Sequence, residues 1–346
     1  MKTEEFLRTV TALPGVTGNE RAAAEYIAEA FRPFVDEVEI NALNCVIAHK
    51  KGAGPKVLIC AHLDEIGMMV SKIEKDGCLR LKSVGGVDPR VLPGMRVRVM
   101  ARGGEMLGVV GATPPHLLRE ADRKSNYTFD SLFVDLGMDA EQVRQRVQIG
   151  DNVCFEARYV ALKNGRVASK TVDDRGCVAI MLRAAELLTK MRHQADLYFV
   201  ATCQEEIGSY GALITGFSVA PDYGVAFDVC HAATPGAPAL STQKIDSLVA
   251  SKGPFLHPML VKKLEEAAKA NGVALQTAID PRYTSTDADE LSLTRAGVPS
   301  VLMSLPIRYM HTNVETFDMH ALTEGARLLA HFLADVDESW EAELWN

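Results

Sequence analysis

Val57-Leu58-Ile59-Cys60-Ala61-His62-Leu63-Asp64 is an apolar run that ends abruptly on an imidazole and a carboxylate. Five consecutive apolar residues are too few for a buried helix and fit a strand covered on both faces. The pattern recurs. Leu197–Thr202 runs into Gln204-Glu205-Glu206, Tyr223–Phe227 runs into Asp228, and Ser300–Ser304 is followed a few residues later by His311. In an open α/β sheet, ligands gather outside the carboxyl ends of the strands. Four strand ends, each carrying a histidine or a carboxylate, therefore converge on one candidate site. A fifth group, Asp173-Asp174-Arg175, precedes a helix beginning at Gly176, where a helix N-terminus favours negative charge.

Outward from these strands the chain alternates. Helical spacing predicts helices over Gly176–Lys190, Tyr210–Ile214, Pro258–Asn271, Asp287–Ala296 and Met319–Val336, with a further strand at Leu275–Ile279. At the start, a charged amphipathic helix is followed by Pro14-Gly15. Thr17 and Glu20 then form a capping box for a helix over Arg21–Phe31. Strands follow at Val38–Ile40 and Val46–Ala48. The expectation is an α/β fold with a mixed, largely parallel sheet covered by helices on both faces.

Between Met68 and Ala168 that rhythm breaks. Short β-rich runs (Leu79–Leu81, Met95–Met100, Leu107–Val110, Asn152–Ala157) are separated by turns such as Gly85-Gly86, and the one expected helix is Ala140–Arg146. The domain expectation is therefore an α/β unit made of 1–67 and 169–346, interrupted by a small β-barrel or sandwich over 68–168.

Composition excludes several classes. The 346 residues carry 37 Lys+Arg against 45 Asp+Glu, a formal charge of −8, which provides no basic stripe for nucleic acid. No apolar run reaches the roughly 18 residues of a membrane span, and no apolar leader opens the chain. Seven scattered cysteines without a C-x-x-C pair point to free thiols and a cytoplasmic location. Phosphate-binding glycine motifs, a G-x-S-x-G elbow and H-E-x-x-H are all missing.

Two imidazoles and several carboxylates suit Zn²⁺, Co²⁺ or Mn²⁺, with one carboxylate bridging two ions. On an extended segment His62 and Asp64 share a face, so Asp64 is expected to orient the ring nitrogen that His62 does not give to metal. Adjacent Glu205 and Glu206 point apart, which suits one as ligand and the other as general base. His116, His193, His257, His320 and His331 are read as structural, and so is His231, although three residues beyond Asp228 it could line a substrate pocket.

Ala61-His62-Leu63-Asp64-Glu65-Ile66-Gly67-Met68-Met69, Asp173-Asp174-Arg175, Gln204-Glu205-Glu206-Ile207-Gly208 and Arg308-Tyr309-Met310-His311 together resemble the deblocking or glutamyl aminopeptidases that assemble as tetrahedral particles, some of them labelled endoglucanase M. The resemblance covers nearly the whole chain, in order. It implies an aminopeptidase acting on short peptides through two divalent ions. His62 and Glu206 would hold one ion and Asp228 and His311 the other, with Asp173 bridging. Glu205 would be the general base and Asp64 the orienting carboxylate. The 68–168 insert would be a PDZ-like barrel used for dimerisation, with dimers building a dodecamer. Cys177, Cys230 and Tyr210 depart from the family pattern and leave specificity open. A glycoside hydrolase or a non-catalytic peptide-binding scaffold is the alternative. Paired carboxylates could serve the first, but that chemistry needs neither strand-end histidine, and the intact ligand set argues against the second.

Overall fold

The computed structural model describes residues 2–120, 124–156 and 158–344. Met1 of the N-terminal segment and Ala157 of the expected strand Asn152–Ala157 lie outside them. Two amphipathic helices open the chain, α1 (Thr3–Val10) and α2 (Arg21–Phe31), which bury Phe6, Leu7 and Val10 and then Ala24, Ile27 and Phe31. The expected capping box between them does not form. The Thr17 hydroxyl donates to Asp64 Oδ2 at 2.7 Å, and Glu20 accepts the Gly18 N–H at 2.6 Å. A buried, ionisable acceptor gives the hydroxyl a stronger bond than a helix would.

Strands β1 (Glu37–Ile40), β2 (Val46–Lys50) and β3 (Lys56–His62) lead into the insert. There, β4 (Gly67–Ile73), β5 (Leu79–Val84), β6 (Arg96–Ala101), β7 (Gly104–Ala112), β8 (Leu132–Asp135) and β9 (Asn152–Phe155) close into a barrel in the order β4-β5-β8-β7-β6-β9. Helix α3 (Ala140–Arg146) packs its one buried residue, Val143, into the barrel core with Met68, Leu79, Val97, Val110 and Phe155. That core is separate from the one under the main sheet. The barrel strands alternate inward apolar and outward polar residues, as a small closed sheet must.

The chain returns through β10 (Val160–Ala161) and β11 (Arg166–Ser169) to helix α4 (Val172–Leu188), whose first turn is broken at Asp173 and Asp174. Then come β12 (Asp196–Thr202), α5 (Tyr210–Val219), β13 (Tyr223–His231), β14 (Leu248–Lys252), α6 (Pro258–Ala270), β15 (Leu275–Ile279), α7 (Asp287–Leu293), β16 (Ser300–Ile307), β17 (Glu315–Asp318), α8 (Met319–Ala334) and α9 (Ser339–Glu343). The main sheet runs β1-β2-β12-β3-β13-β16-β14-β15. Its centre, β12-β3-β13-β16, is parallel, while β2 and β14 join antiparallel. This is a mixed α/β sheet with a barrel insert. Among the described residues no helix is long and apolar enough to cross a membrane.

Two strands run further than the apolar pattern suggests. β13 and β16 stay paired through Asp228↔Ser304 to His231↔Ile307. Asp228 is therefore inside a strand and not beyond its end. It still reaches the site, because β3 stops at His62 while β13 beside it continues.

Candidate metal centre and active site

Register decides which side chains meet. Cys60 on β3 is opposite Ala226 on β13, so two residues on, His62 comes opposite Asp228. His62, Asp173 and Asp228 present ligand atoms within 4.8 Å of one another, as do Asp173, Glu206 and His311. Asp173 belongs to both groups. Its Oδ1 is 3.0 Å from His62 Nε2 and its Oδ2 is 3.2 Å from His311 Nε2. All five residues named as ligands from the sequence are brought together, but in different pairs. His62 goes with Asp228 because adjacent parallel strands carry them. Glu206 goes with His311 because the turn after β12 and the loop after β16 lie on the other side of Asp173.

Two donor atoms bound to one ion at about 2.1 Å and a near-tetrahedral angle stand about 3.4 Å apart, so this spacing suits a small divalent cation. The electrostatics agree. Burial pushes the pKa of Asp228 well up, and the charges of Asp174, Glu205 and Asp173 add to the shift. Burial and then the charge of Asp173 do the same to Glu206. Asp173 is the exception. Burial would raise its pKa, but hydrogen bonds from His311 and His62 outweigh burial and hold it below the usual carboxylate range. In return His62 and His311, which burial would lower, are raised by Asp173. A buried cluster this rich in carboxylates calls for added positive charge.

Glu205 and Glu206 diverge. Glu205 Oε2 lies 3.8 Å from His62 Nε2, and Glu206 Oε2 lies 3.7 Å from His311 Nε2. Asp64 stands beside the His62 ring and also reaches the turn after β12. His62 Nδ1 is nearest the Asp64 backbone carbonyl, at 3.1 Å, while the carboxylate is 3.5 Å away. The carboxylate also accepts the Glu205 N–H at 3.2 Å and the Glu206 N–H at 3.4 Å, besides the Thr17 hydroxyl.

Sequence reasoning missed a surrounding layer. Glu315, on β17, accepts the backbone N–H groups of Asp173 and His311 and so sets the spacing between those two residues. Asp174 accepts the His62 N–H. Asp287 accepts the Thr202 hydroxyl, and burial followed by the charge of Glu205 pushes its pKa up to about 8. Arg175 is fully buried and donates to the carbonyls of Val10, Leu13 and Leu63, stitching the N-terminal segment to the loop after β3. Lys170 pairs with Glu65 beside it. Asp174, Arg175 and Glu65 lie within stretches quoted above but had no role of their own there, and Glu315, Asp287 and Lys170 carry no periodic signal.

The insert also reaches the site. His311 Nδ1 lies 3.1 Å from the carbonyl of Gly86, in the turn after β5. A side chain at Gly86 would put its Cβ 2.8 Å from that nitrogen. The metal-ligand candidates open onto a cavity of about 840 Å³. Cys230 and His231 line it, so His231 belongs to the cavity wall and not to the purely structural histidines.

Fold and site together define a metal-dependent hydrolase built on an α/β sheet with a barrel insert. Residues 44–328 match the family described as M42 glutamyl aminopeptidase, and the chain belongs to that family of metal-dependent aminopeptidases. It is 37% identical to the lysyl aminopeptidase of Pyrococcus furiosus, over 96% of this chain and 97% of the relative. It is 28% identical to the glutamyl aminopeptidase of Lactococcus lactis subsp. cremoris over the full length of both. The TET aminopeptidase of the marine sediment archaeon Thaumarchaeota archaeon SCGC AB-539-E09 superposes with a TM-score of 0.95 at 28% identity, covering 99% and 98% of the two chains. The Pyrococcus horikoshii TET1 peptidase, which can assemble into a tetrahedron or a large octahedral shell, superposes at 0.85 with 28% identity over 97% and 100%.

Proposed function

We propose that this aminopeptidase works with two divalent ions (Zn²⁺, Co²⁺ or Mn²⁺) and releases N-terminal residues from short peptides, with Glu205 as general base. His62 and Asp228 would hold one ion and Glu206 and His311 the other, with Asp173 shared. The observation that carries this reading is Asp173, whose two oxygens each face a different imidazole. When bound, the ions supply Lewis acidity at the scissile carbonyl and an anchor for the free α-amine. Glu205 stays outside both ligand groups and takes the proton of the attacking water at its carboxylate, then returns it to the leaving amine. Burial raises its pKa, the direction a base working near neutrality needs. Asp64 holds the turn that aims Glu205.

The insert over 68–168, a PDZ-like barrel, is the assembly domain in this reading, and dimers build a tetrahedral dodecamer. Support comes from the assemblies of the TET1 neighbour and from Leu107 and Val109, which β7 leaves exposed. A cytoplasmic location fits seven cysteines that are all free. The α/β unit, 1–67 with 169–346, carries the chemistry.

Aminoacyl-p-nitroanilides and a cellulosic substrate, assayed with and without chelator, test the reaction. Chelator-sensitive release of the aminoacyl group alone is expected. Glu205→Gln should keep its metal and lose turnover by about 10²–10⁴-fold. Near-normal turnover in that variant would overturn the base assignment.

A further inference from the structure

The floor of the cavity is one face of the sheet, and its register can be followed strand by strand. Asp228 on β13 is opposite Ser304 on β16, and Ser304 is opposite Val249 on β14. Two residues along β14, Ser251 is opposite Ala278 on β15. Side chains two apart share a face, so Asp280, just past β15, continues the surface that begins at Asp228. Both line the cavity. Three strand spacings of about 4.8 Å separate β13 from β15, about 14 Å across the sheet, and Asp280 stands a further four residues along the strands from the row of Asp228.

The surface between them mixes Ser304 and Ser251 with apolar walls that include Leu302, Met310 and Ile279. No lysine or arginine stands among the described residues that line it. Asp280 has no ion pair and no side-chain hydrogen bond among the described residues. Its backbone partner Lys252 faces away from the cavity and pairs with Glu265 at 2.7 Å. Arg282, two residues on, does not line the cavity. Asp280 is thus an uncompensated carboxylate at the far end of a slot whose near end is the candidate metal centre.

We infer that Asp280 is a specificity residue and that the slot takes a cationic side chain, lysine or arginine, at the N-terminal position of the substrate. This rests on the aminopeptidase reading, which puts the substrate's α-amine at the metal end. A lysine or arginine side chain lays its apolar stem along Leu302 and Met310 and carries its charge to Asp280. An apolar side chain of the same length desolvates Asp280 without pairing it. A glutamate sets carboxylate against carboxylate. The two named relatives have opposite preferences in their names, lysyl and glutamyl, so the cavity of this chain has to decide.

The test is kcat/KM of the metal-loaded, full-length enzyme on lysyl, arginyl, norleucyl and glutamyl p-nitroanilides, for wild type, Asp280→Asn and Asp280→Lys. Wild type should favour lysyl over norleucyl by about tenfold or more. Asp280→Asn should bring that ratio close to one, chiefly through KM for the lysyl substrate. Asp280→Lys should shift preference toward glutamyl. Inhibition of the wild type by lysinamide against norleucinamide reads the same preference without any variant. A wild type that favours norleucyl or glutamyl, or a ratio that Asp280→Asn leaves alone, overturns the inference while the aminopeptidase reading stands. Failure to release any aminoacyl group would bring down both.

Discussion

The carboxylate of Asp64 accepts the backbone N–H of Glu205 at 3.2 Å, joining residues 141 positions apart in the chain. Its second oxygen takes the Glu206 N–H and the Thr17 hydroxyl. Because the bonds go to the backbone of the turn, Asp64 fixes where both glutamates start and leaves their carboxylates free to diverge.

Asp64→Ala should therefore cost activity without abolishing metal binding. The expected loss in kcat/KM is about 10–100-fold, the range for partners that orient a metal site. Thr17→Val removes one of three bonds and should be milder. Kinetics with parallel metal analysis decide the matter, and an Asp64→Ala enzyme with normal turnover would contradict the positioning role.

Metal stoichiometry should follow the sharing of Asp173. The wild type is expected to hold about two ions per chain, His311→Ala and His62→Ala about one each, and Asp173→Ala fewer than either. Elemental analysis after gel filtration measures this. Retention of two ions by Asp173→Ala would exclude a shared ligand.

The metal-free protein should lose stability as pH rises. Asp228, Glu206, Asp174 and Asp287 all have folded pKa values raised by burial, Asp287 to about 8, so the folded state holds more protons than the unfolded chain from about pH 4 upward. Unfolding free energy then falls with pH over that window. His62, raised by Asp173, acts in the same direction, while the lowered pKa of Asp173 matters only below about pH 4. Metal reverses the trend, since ligands must be deprotonated to bind it. Thermal melts of chelated and loaded protein between about pH 5 and 8 should therefore diverge, and parallel curves would contradict this account.

Gly86→Val should displace His311. The Cβ alone falls 2.8 Å from Nδ1, and a misplaced group near the chemistry costs up to about 10²-fold in rate. Little change in melting temperature is expected, because Gly86 is not part of the barrel core. Wild-type kinetics in this variant would mean that the turn yields freely.

Strands buried on both faces were the most legible parts of the chain. Val57–Ala61 and Leu197–Thr202 are runs that nothing but a central strand explains, and the polar residues after them mark the site. β14 escaped notice because Leu248–Lys252 mixes small and polar residues where it forms the cavity floor. β4 and β8 were hidden for a related reason, since each barrel strand shows only half its residues to a core. The pairing of the ligands depended on register, which no local pattern encodes. Glu315 lies in a short strand with nothing nearby in sequence to connect it to Asp173, although in space it accepts that residue's N–H at 3.1 Å.

The Gly86 carbonyl belongs to the insert, while the His311 ring it faces belongs to the α/β unit. The barrel closes on itself and has its own core, so by packing alone it looks like a removable module. It is not removable without consequence. A shortened enzyme that joined Ile66, just before β4, directly to β11 would keep every candidate ligand and lose the oxygen that orients one of them. Engineering a smaller catalyst from this scaffold would have to replace a single carbonyl before anything else.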